Sequence, residues 1–159
     1  SIISTFRLRE TVRSKGRFYL DMAEALDKLP PDCGAQIVAR SIRLLKDVVL
    51  NTRKHKLTRS QYVMFLLADM MTWCEVGEAL CQKAAAGHSH GRSPEFLKAV
   101  ARLFALEVET KVFLNGTKVA QGCGELMGDV VPNLKELDLG ETSRHFMADM
   151  DLVAAEIVR

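Results

Sequence analysis

Hydrophobic residues recur along this 159-residue chain with the spacing of helices. Apolar positions fall three, four and seven residues apart, which is typical of amphipathic helices, and no segment alternates as a half-buried strand would. Ala, Leu, Val and Met are abundant while aromatic residues make up only 6%, a mixture that favours helix over sheet. The pattern predicts an all-α fold over residues 1–159: an up-and-down four-helix bundle with an additional N- or C-terminal helix.

The longest helical pattern begins at Thr58 and runs to Ala86. Thr58, with Gln61 three residues later, has the spacing of a capping box. Apolar residues occur almost all round the segment, so it is predicted to be the most buried helix. At 1.5 Å per residue it would be roughly 40 Å long, as in an elongated bundle.

Proline and glycine residues divide the rest of the chain. We predict helices over 1–28 (loosened at Gly16), 33–54 (after Pro30 and Pro31, with Asp32 as N-cap), 94–121 (capped by Ser93 and ended by Gly122 and Gly124) and 141–158. The segment 125–140 is predicted to be a loop with a helical turn at 134–137. The last helix is predicted to bury a stripe formed by Phe146, Met150, Val153, Ala154 and Ile157.

Charge and hydropathy argue against nucleic-acid binding, membrane spanning and secretion. A formal net charge of +2 does not indicate a nucleic-acid partner. No apolar run reaches the roughly 20 residues that a membrane span needs. Arg7, Arg9 and Arg13 interrupt the N-terminus early, unlike a secretory signal, so a cytoplasmic location is predicted.

Two basic segments each have two interpretations. The N-terminal segment combines Arg7, Arg9 and Arg13 with apolar residues, so it is either a solvated or connecting helix or a helix that touches an anionic membrane surface. The run from Arg53 to Lys56 either complements the negative end of a helix dipole or, with Arg59, forms an anion site for a phosphate.

Candidate chemistry is sparse. Four cysteines, Cys33, Cys74, Cys81 and Cys123, lie in apolar helical contexts and are predicted to be buried free thiols. His88 and His90 share a glycine-flanked connector, but no further ligand stands at a suitable spacing. The Glu-x-x-His pairs of di-metal bundles are missing from the sequence. The sequence assigns no catalytic, cofactor-binding or metal-ligating residue to this chain.

Two further features invite structural interpretations. Asp69 lies among Leu and Met residues, so if buried it needs an ion-pair partner, and Arg40 or Arg43 is the predicted one. The glycine pair around Cys123 follows no strand, so it lacks the context of a dinucleotide-binding turn.

The segment from Gln61 to Ala86 resembles a helix of the acyl-CoA dehydrogenases, in which a Gln precedes a hydrophobic run into Leu-Ala-Asp-Met. Here Leu67 to Met70 matches that motif. The segment from Ala99 to Glu125 is similar to the next helix of that family, which has an Ala-Lys-type start, here Ala101-Arg102, and ends in a glycine-rich turn. The resemblance covers roughly residues 34–125, and it implies the family's C-terminal four-helix bundle.

The chain departs from the family at the flavin-contacting positions. Leu50 and Arg53-Lys54 stand where the family has an Arg and a Phe-Gly pair. Of the later glycine motif, only Gly122 and Gly124 remain. The catalytic Glu-Gly-Thr turn has no counterpart, because residues 115–117 read Asn-Gly-Thr within a predicted helix.

These departures suit the extra C-terminal helical domain of the very-long-chain type. The resemblance then implies a parent enzyme that oxidises acyl-CoA at its α–β bond with FAD, while this part binds no cofactor. The implied partners are the remainder of the parent dehydrogenase and a second copy, in a homodimer through helix faces, with weak membrane-surface contact as a further option. The alternative is a freestanding four-helix interaction module.

Overall fold

The computed structural model describes residues 2–88, 90–123 and 144–158 of the chain. Within these ranges the chain is helical and no strand occurs, which confirms the predicted all-α fold. The predicted loop over 125–140 lies outside them. The helices are α1 (Ile2–Arg13), α2 (Arg17–Asp27), α3 (Ala35–Lys54), α4 (Gln61–Ala86), α5 (Pro94–Cys123) and α6 (Phe146–Ile157), with short 3₁₀ helices at Pro31–Cys33 and Leu57–Arg59.

Consecutive helices from α2 to α6 run antiparallel. Between α4 and α5, the Asn115 side chain donates to the Leu66 carbonyl, while Val108 lies against Gly77, so numbers rise along one helix as they fall along the other. The other neighbours show the same reversal: Asp27–Arg43 and Gly16–Lys46 for α2 and α3, Val38–Gly77 and Cys33–Cys81 for α3 and α4, Arg102–Asp149 and Arg92–Glu156 for α5 and α6. This is the predicted up-and-down bundle.

The core lies where α3 meets α2, α4 and α5. α3 is the most buried helix, with 11 of its 20 residues buried against 9 of 26 in α4, so the prediction for α4 was wrong. α3 has neighbours on several sides, whereas the apolar residues of α4 continue onto a side that none of the helices α1 to α6 covers. The largest fully buried apolar side chains are Tyr19, Leu26, Ile42, Leu45, Leu67 and Met70.

Gly77 lets three helices approach closely at the centre of the bundle. A Cβ atom at this position would lie 2.9 Å from a methyl group of Val108 and 3.4 Å from Val38. The first distance is shorter than van der Waals contact, so any larger side chain would push α5 away from α4.

One of the three predicted N-cap residues is confirmed and two are wrong. The Ser93 hydroxyl accepts from the Phe96 amide at 3.1 Å, which confirms the predicted cap of α5. α4 is capped by Ser60 rather than Thr58, because Thr58 lies in the preceding 3₁₀ helix and Ser60 has the extended backbone of an N-cap. Asp32 does not cap α3, because Gly34 occupies the cap position with a φ of 77°.

The N-terminal helix is broken where the sequence predicted loosening. Lys15 and Gly16 both have positive φ values, 53° and 86°, and they separate α1 from α2. The turn brings Gly16 against the Lys46 side chain of α3. α1 can therefore fold back across α3 and α4 instead of extending α2.

Candidate association surface

The two sides of α4 have different environments. Its inner side, with Leu67, Met70 and Cys74, is buried against α3 and α5. On its outer side Tyr62, Phe65 and Val76 are 54%, 73% and 48% exposed. Large apolar side chains exposed along one side of a helix make that side a candidate association surface.

The exposed residues follow the spacing of a helix–helix seam. Residues 62, 65, 69, 72 and 76 alternate steps of three and four, the spacing of the a and d positions of a coiled coil. We call the residues Tyr62, Phe65, Asp69, Thr72 and Val76 the outer stripe. Leu114 on α5 is also about half exposed.

Asp69 links the outer stripe to the bundle beneath it. One of its carboxylate oxygens accepts from the Asn115 side chain at 2.8 Å. The predicted ion pair with Arg40 or Arg43 is wrong, because Asp69 is only partly buried and those arginines belong to other pairs. Arg40 lies 3.7 Å from the buried Glu109, and Arg43 pairs with Asp27.

Glu75 lies at the edge between the two sides of α4 and holds α1 and α2 there. Its carboxylate accepts from Arg7 Nε at 2.7 Å and from the Tyr19 hydroxyl at 3.1 Å. The Arg7 guanidinium also lies 5.0 Å from the centre of the Phe18 ring. Burial, followed by the charge of Glu75, raises the pKa of Tyr19 above its ordinary value.

α6 exposes most of the residues that the sequence predicted to be buried, although Val153 is half-buried. Phe146, Met150 and Ile157 are exposed, whereas the buried residue is Asp149. Asp149 accepts two hydrogen bonds from Arg102, at 2.7 and 2.9 Å, and Arg102 also donates to the Asp32 carbonyl at 2.6 Å. A bidentate ion pair therefore fixes which side of α6 faces the bundle.

The same ion pair closes one side of a cavity of about 330 Å³ between α3, α5 and α6. Ile37, Leu106 and Phe146 supply its apolar walls. Because each oxygen of Asp149 already accepts from Arg102, the pair that borders this cavity is engaged in holding α6.

Three cysteines are buried free thiols, as predicted: Cys33, Cys74 and Cys81. The Cys123 side chain lies outside the described part of the structure. The Cys81 thiol lies 3.3 Å from the Cys33 carbonyl oxygen and donates to it. Burial raises the pKa of Cys74, and hydrogen bonding to Cys33 with burial raises that of Cys81. Both thiols therefore stay protonated and pack as small hydrophobic groups.

The two histidines singled out in the sequence have no described partners for a metal site. His88 and His90 are exposed in the connector between α4 and α5. Over residues 2–88, 90–123 and 144–158, no group of three His, Cys, Asp or Glu side chains is placed to hold a metal ion. No helix within those ranges is both long and apolar enough to cross a bilayer.

The sequence pattern did not predict the outer stripe, because it assigned all sides of α4 to the core. The available signal was the excess of apolar positions on α4, which is apolar on more sides than its neighbours can cover.

Comparisons of the chain with protein-family models, with curated proteins and with solved structures found no match. The resemblance to acyl-CoA dehydrogenases therefore stays a prediction.

Proposed function

We propose that this chain is a non-catalytic helical domain of an acyl-CoA dehydrogenase-like flavoenzyme, and that it joins two copies through the outer stripe. The remainder of the parent protein would hold FAD and oxidise the acyl-CoA. The exposure of Tyr62, Phe65 and Val76 on one side of α4 is the observation that carries the association.

The helix with the family resemblance is also the helix that bears the stripe. Leu67 and Met70 of the Leu-Ala-Asp-Met motif are buried in the bundle, while Asp69 bonds to Asn115 on α5. These contacts give the motif a packing role in this chain. They support the proposal of a structural domain because each residue is engaged in holding α4 to its neighbours.

The outer stripe is complementary to itself when two α4 helices lie antiparallel. A twofold axis midway between Phe65 and Val76 would set Phe65 of each copy against Val76 of the other. The same register sets Asp69 opposite Thr72, so no like charges meet. An axis centred on Asp69 is disfavoured because two carboxylates would face each other.

The ends of the stripe fit the same register. Tyr62 of one copy would lie opposite Ala79 of the other, which is exposed in the isolated bundle. The small alanine side chain leaves room for the tyrosine ring, so the two bulky groups of the stripe, Tyr62 and Phe65, both meet smaller partners. The tyrosine hydroxyl then lies at the rim of the contact, where water can bond to it. In this register the polar pairs of Asp69 with Thr72 lie nearest the twofold axis, and the apolar contacts of Phe65 with Val76 and of Tyr62 with Ala79 lie on either side of them.

Sedimentation equilibrium over a range of concentrations tests this proposal. We expect the wild-type chain to reach twice its monomer mass, and Phe65→Glu to stay monomeric because it would bury a charge against Val76. Met147→Glu is the matched control, because Met147 is 69% exposed on α6 and outside the stripe. A wild-type chain that stays monomeric, or a control that dissociates the dimer equally, would contradict the assignment.

The non-catalytic part of the proposal has its own test. The chain is purified after expression with excess flavin, and its visible absorbance is recorded. We expect no bound FAD, whereas stoichiometric FAD would overturn the non-catalytic assignment and leave the association through α4 standing.

The freestanding interaction module remains the second candidate, because the self-pairing of α4 does not itself require a dehydrogenase. The length of the native open reading frame separates the two. An upstream dehydrogenase core in the same frame would support the first candidate, and a start codon directly before α1 would support the module.

A further inference from the structure

A second surface feature lies away from the outer stripe, where α1 crosses the end of α3. A cavity of about 360 Å³ opens there, between α1, the last turn of α3 and the 3₁₀ helix at Leu57–Arg59. Three arginines line it, Arg9 and Arg13 from α1 and Arg53 from α3. Its volume falls in the range of small-molecule sites.

The arginines of this cavity differ from Arg7, Arg43 and Arg102 in their distance from carboxylates. Arg7, Arg43 and Arg102 each lie within 3 Å of a carboxylate oxygen. In the cavity, Arg13 lies 3.6 Å from Glu10, a residue outside the lining, and its side chain is 81% exposed. No Asp or Glu is among the residues that line the cavity.

Each arginine taken alone has an ordinary explanation, but these explanations do not say why the three side chains line one cavity. Arg53 suits the negative end of the α3 dipole, and Arg9 and Arg13 are solvated positions on α1. Yet α1 is a separate helix that the positive-φ turn at Gly16 folds back against α3. That fold brings three like charges to one concavity, an arrangement that an anion would stabilise.

The cavity lining contains apolar side chains and a hydroxyl group as well as positive charges. Leu8 and Val12 add apolar surface, and Thr58 adds a hydroxyl group beside the arginines. Guanidinium groups match the geometry of phosphate oxygens and bind them in bidentate fashion. We propose that this cavity binds the phosphate group of an amphiphilic ligand, whose apolar part lies on Leu8 and Val12.

Calorimetric titration of the 159-residue chain at low salt tests this, with inorganic phosphate and hexyl phosphate as probes. We expect saturable binding of hexyl phosphate that is at least about tenfold tighter than that of inorganic phosphate, because of the apolar surface. The double variant Arg9→Gln/Arg53→Gln should weaken hexyl phosphate binding at least about tenfold. Equal affinity for the two probes would overturn the proposed role of Leu8 and Val12.

Lys83→Gln/Lys118→Gln is the control, since it removes the same charge from exposed positions on α4 and α5. We expect it to leave the affinity within about twofold of the wild type. Equal losses in both double variants, or no saturable binding by the wild type, would overturn the site. Circular dichroism establishes that each variant is folded, which separates loss of the site from loss of the bundle.

Vesicle co-sedimentation distinguishes the source of the phosphate. Vesicles of phosphatidylcholine with phosphatidic acid are compared with phosphatidylcholine alone. Co-sedimentation that requires phosphatidic acid, Arg9 and Arg53 would assign a lipid headgroup. Hexyl phosphate binding without co-sedimentation would assign a soluble phosphate ester. Because the cavity shares no residue with the outer stripe, its failure would leave the dimer proposal unaffected.

Discussion

The inner and outer sides of α4 carry similar residue types in different environments. On the inner side Leu67 and Met70 have no exposed surface, whereas Phe65 on the outer side is 73% exposed. The packing of α3 and α5 against one side of α4 therefore gives neighbouring residues of one apolar run different burial. The inner side holds the bundle together, and the outer side is the surface that we propose for association.

α6 offers a second comparison, because its one buried residue is charged while several of its large apolar residues are exposed. Asp149 is bonded to Arg102, while Met147 and Met150 reach water. The same lesson applies to both helices. Residue type does not decide which side is buried, because the partner on the neighbouring helix decides it.

The largest effect separates the two sides of α4 directly. Leu67→Ala should lower the free energy of unfolding by about 3 kcal/mol, because it leaves a cavity in the core. Phe65→Ala, measured in dilute protein where dimers dissociate, should change it by less than about 0.5 kcal/mol. Chemical denaturation followed by circular dichroism measures both. Equal losses would erase the distinction between the sides.

The next effect tests which side of α6 holds it to the bundle. Asp149→Ala should cost about 2 kcal/mol, less than a fully buried pair because Arg102 is partly exposed. Hydrogen exchange should then speed up over α6 before the other helices. Met150→Ala is the comparison, with an expected change below about 0.5 kcal/mol. A larger loss for Met150→Ala would mean that the apolar stripe faces inward as the sequence suggested.

The smallest effect concerns the edge between the sides of α4. Because the pKa of Tyr19 is raised in the folded state, its contribution is present below the unfolded value of about 10 and is lost as the pH rises above it. Between pH 9 and pH 11 the wild type should lose about 1 kcal/mol more stability than Tyr19→Phe. Parallel pH profiles for both proteins would show that Tyr19 is not protected by burial beside Glu75.

The helices themselves could be predicted from the sequence, since periodicity and breakers act locally. The Pro94 start of α5 and its Ser93 cap follow from side-chain chemistry within one turn. The caps of α3 and α4 each lie two residues after the predicted position, because the backbone conformation at Gly34 and Ser60 decides them.

Contacts between helices could not be predicted in the same way. Periodicity groups Phe146, Met150 and Ile157 on one side of α6 but does not say which way that side faces. The answer depends on Arg102, which lies 47 residues before Asp149 in the chain. For the same reason Asp69 was assigned a partner on α3 when its hydrogen bond comes from Asn115 on α5.

The most direct test of the central claim is photo-cross-linking from position 65. A benzophenone amino acid replaces Phe65, the protein is illuminated, and the cross-linked peptides are identified by mass spectrometry. We expect covalent dimers in which position 65 of one copy is joined near Val76 of the other. The same group at Met147 should give few dimers. Dimers from position 147 with none from position 65 would contradict association through α4.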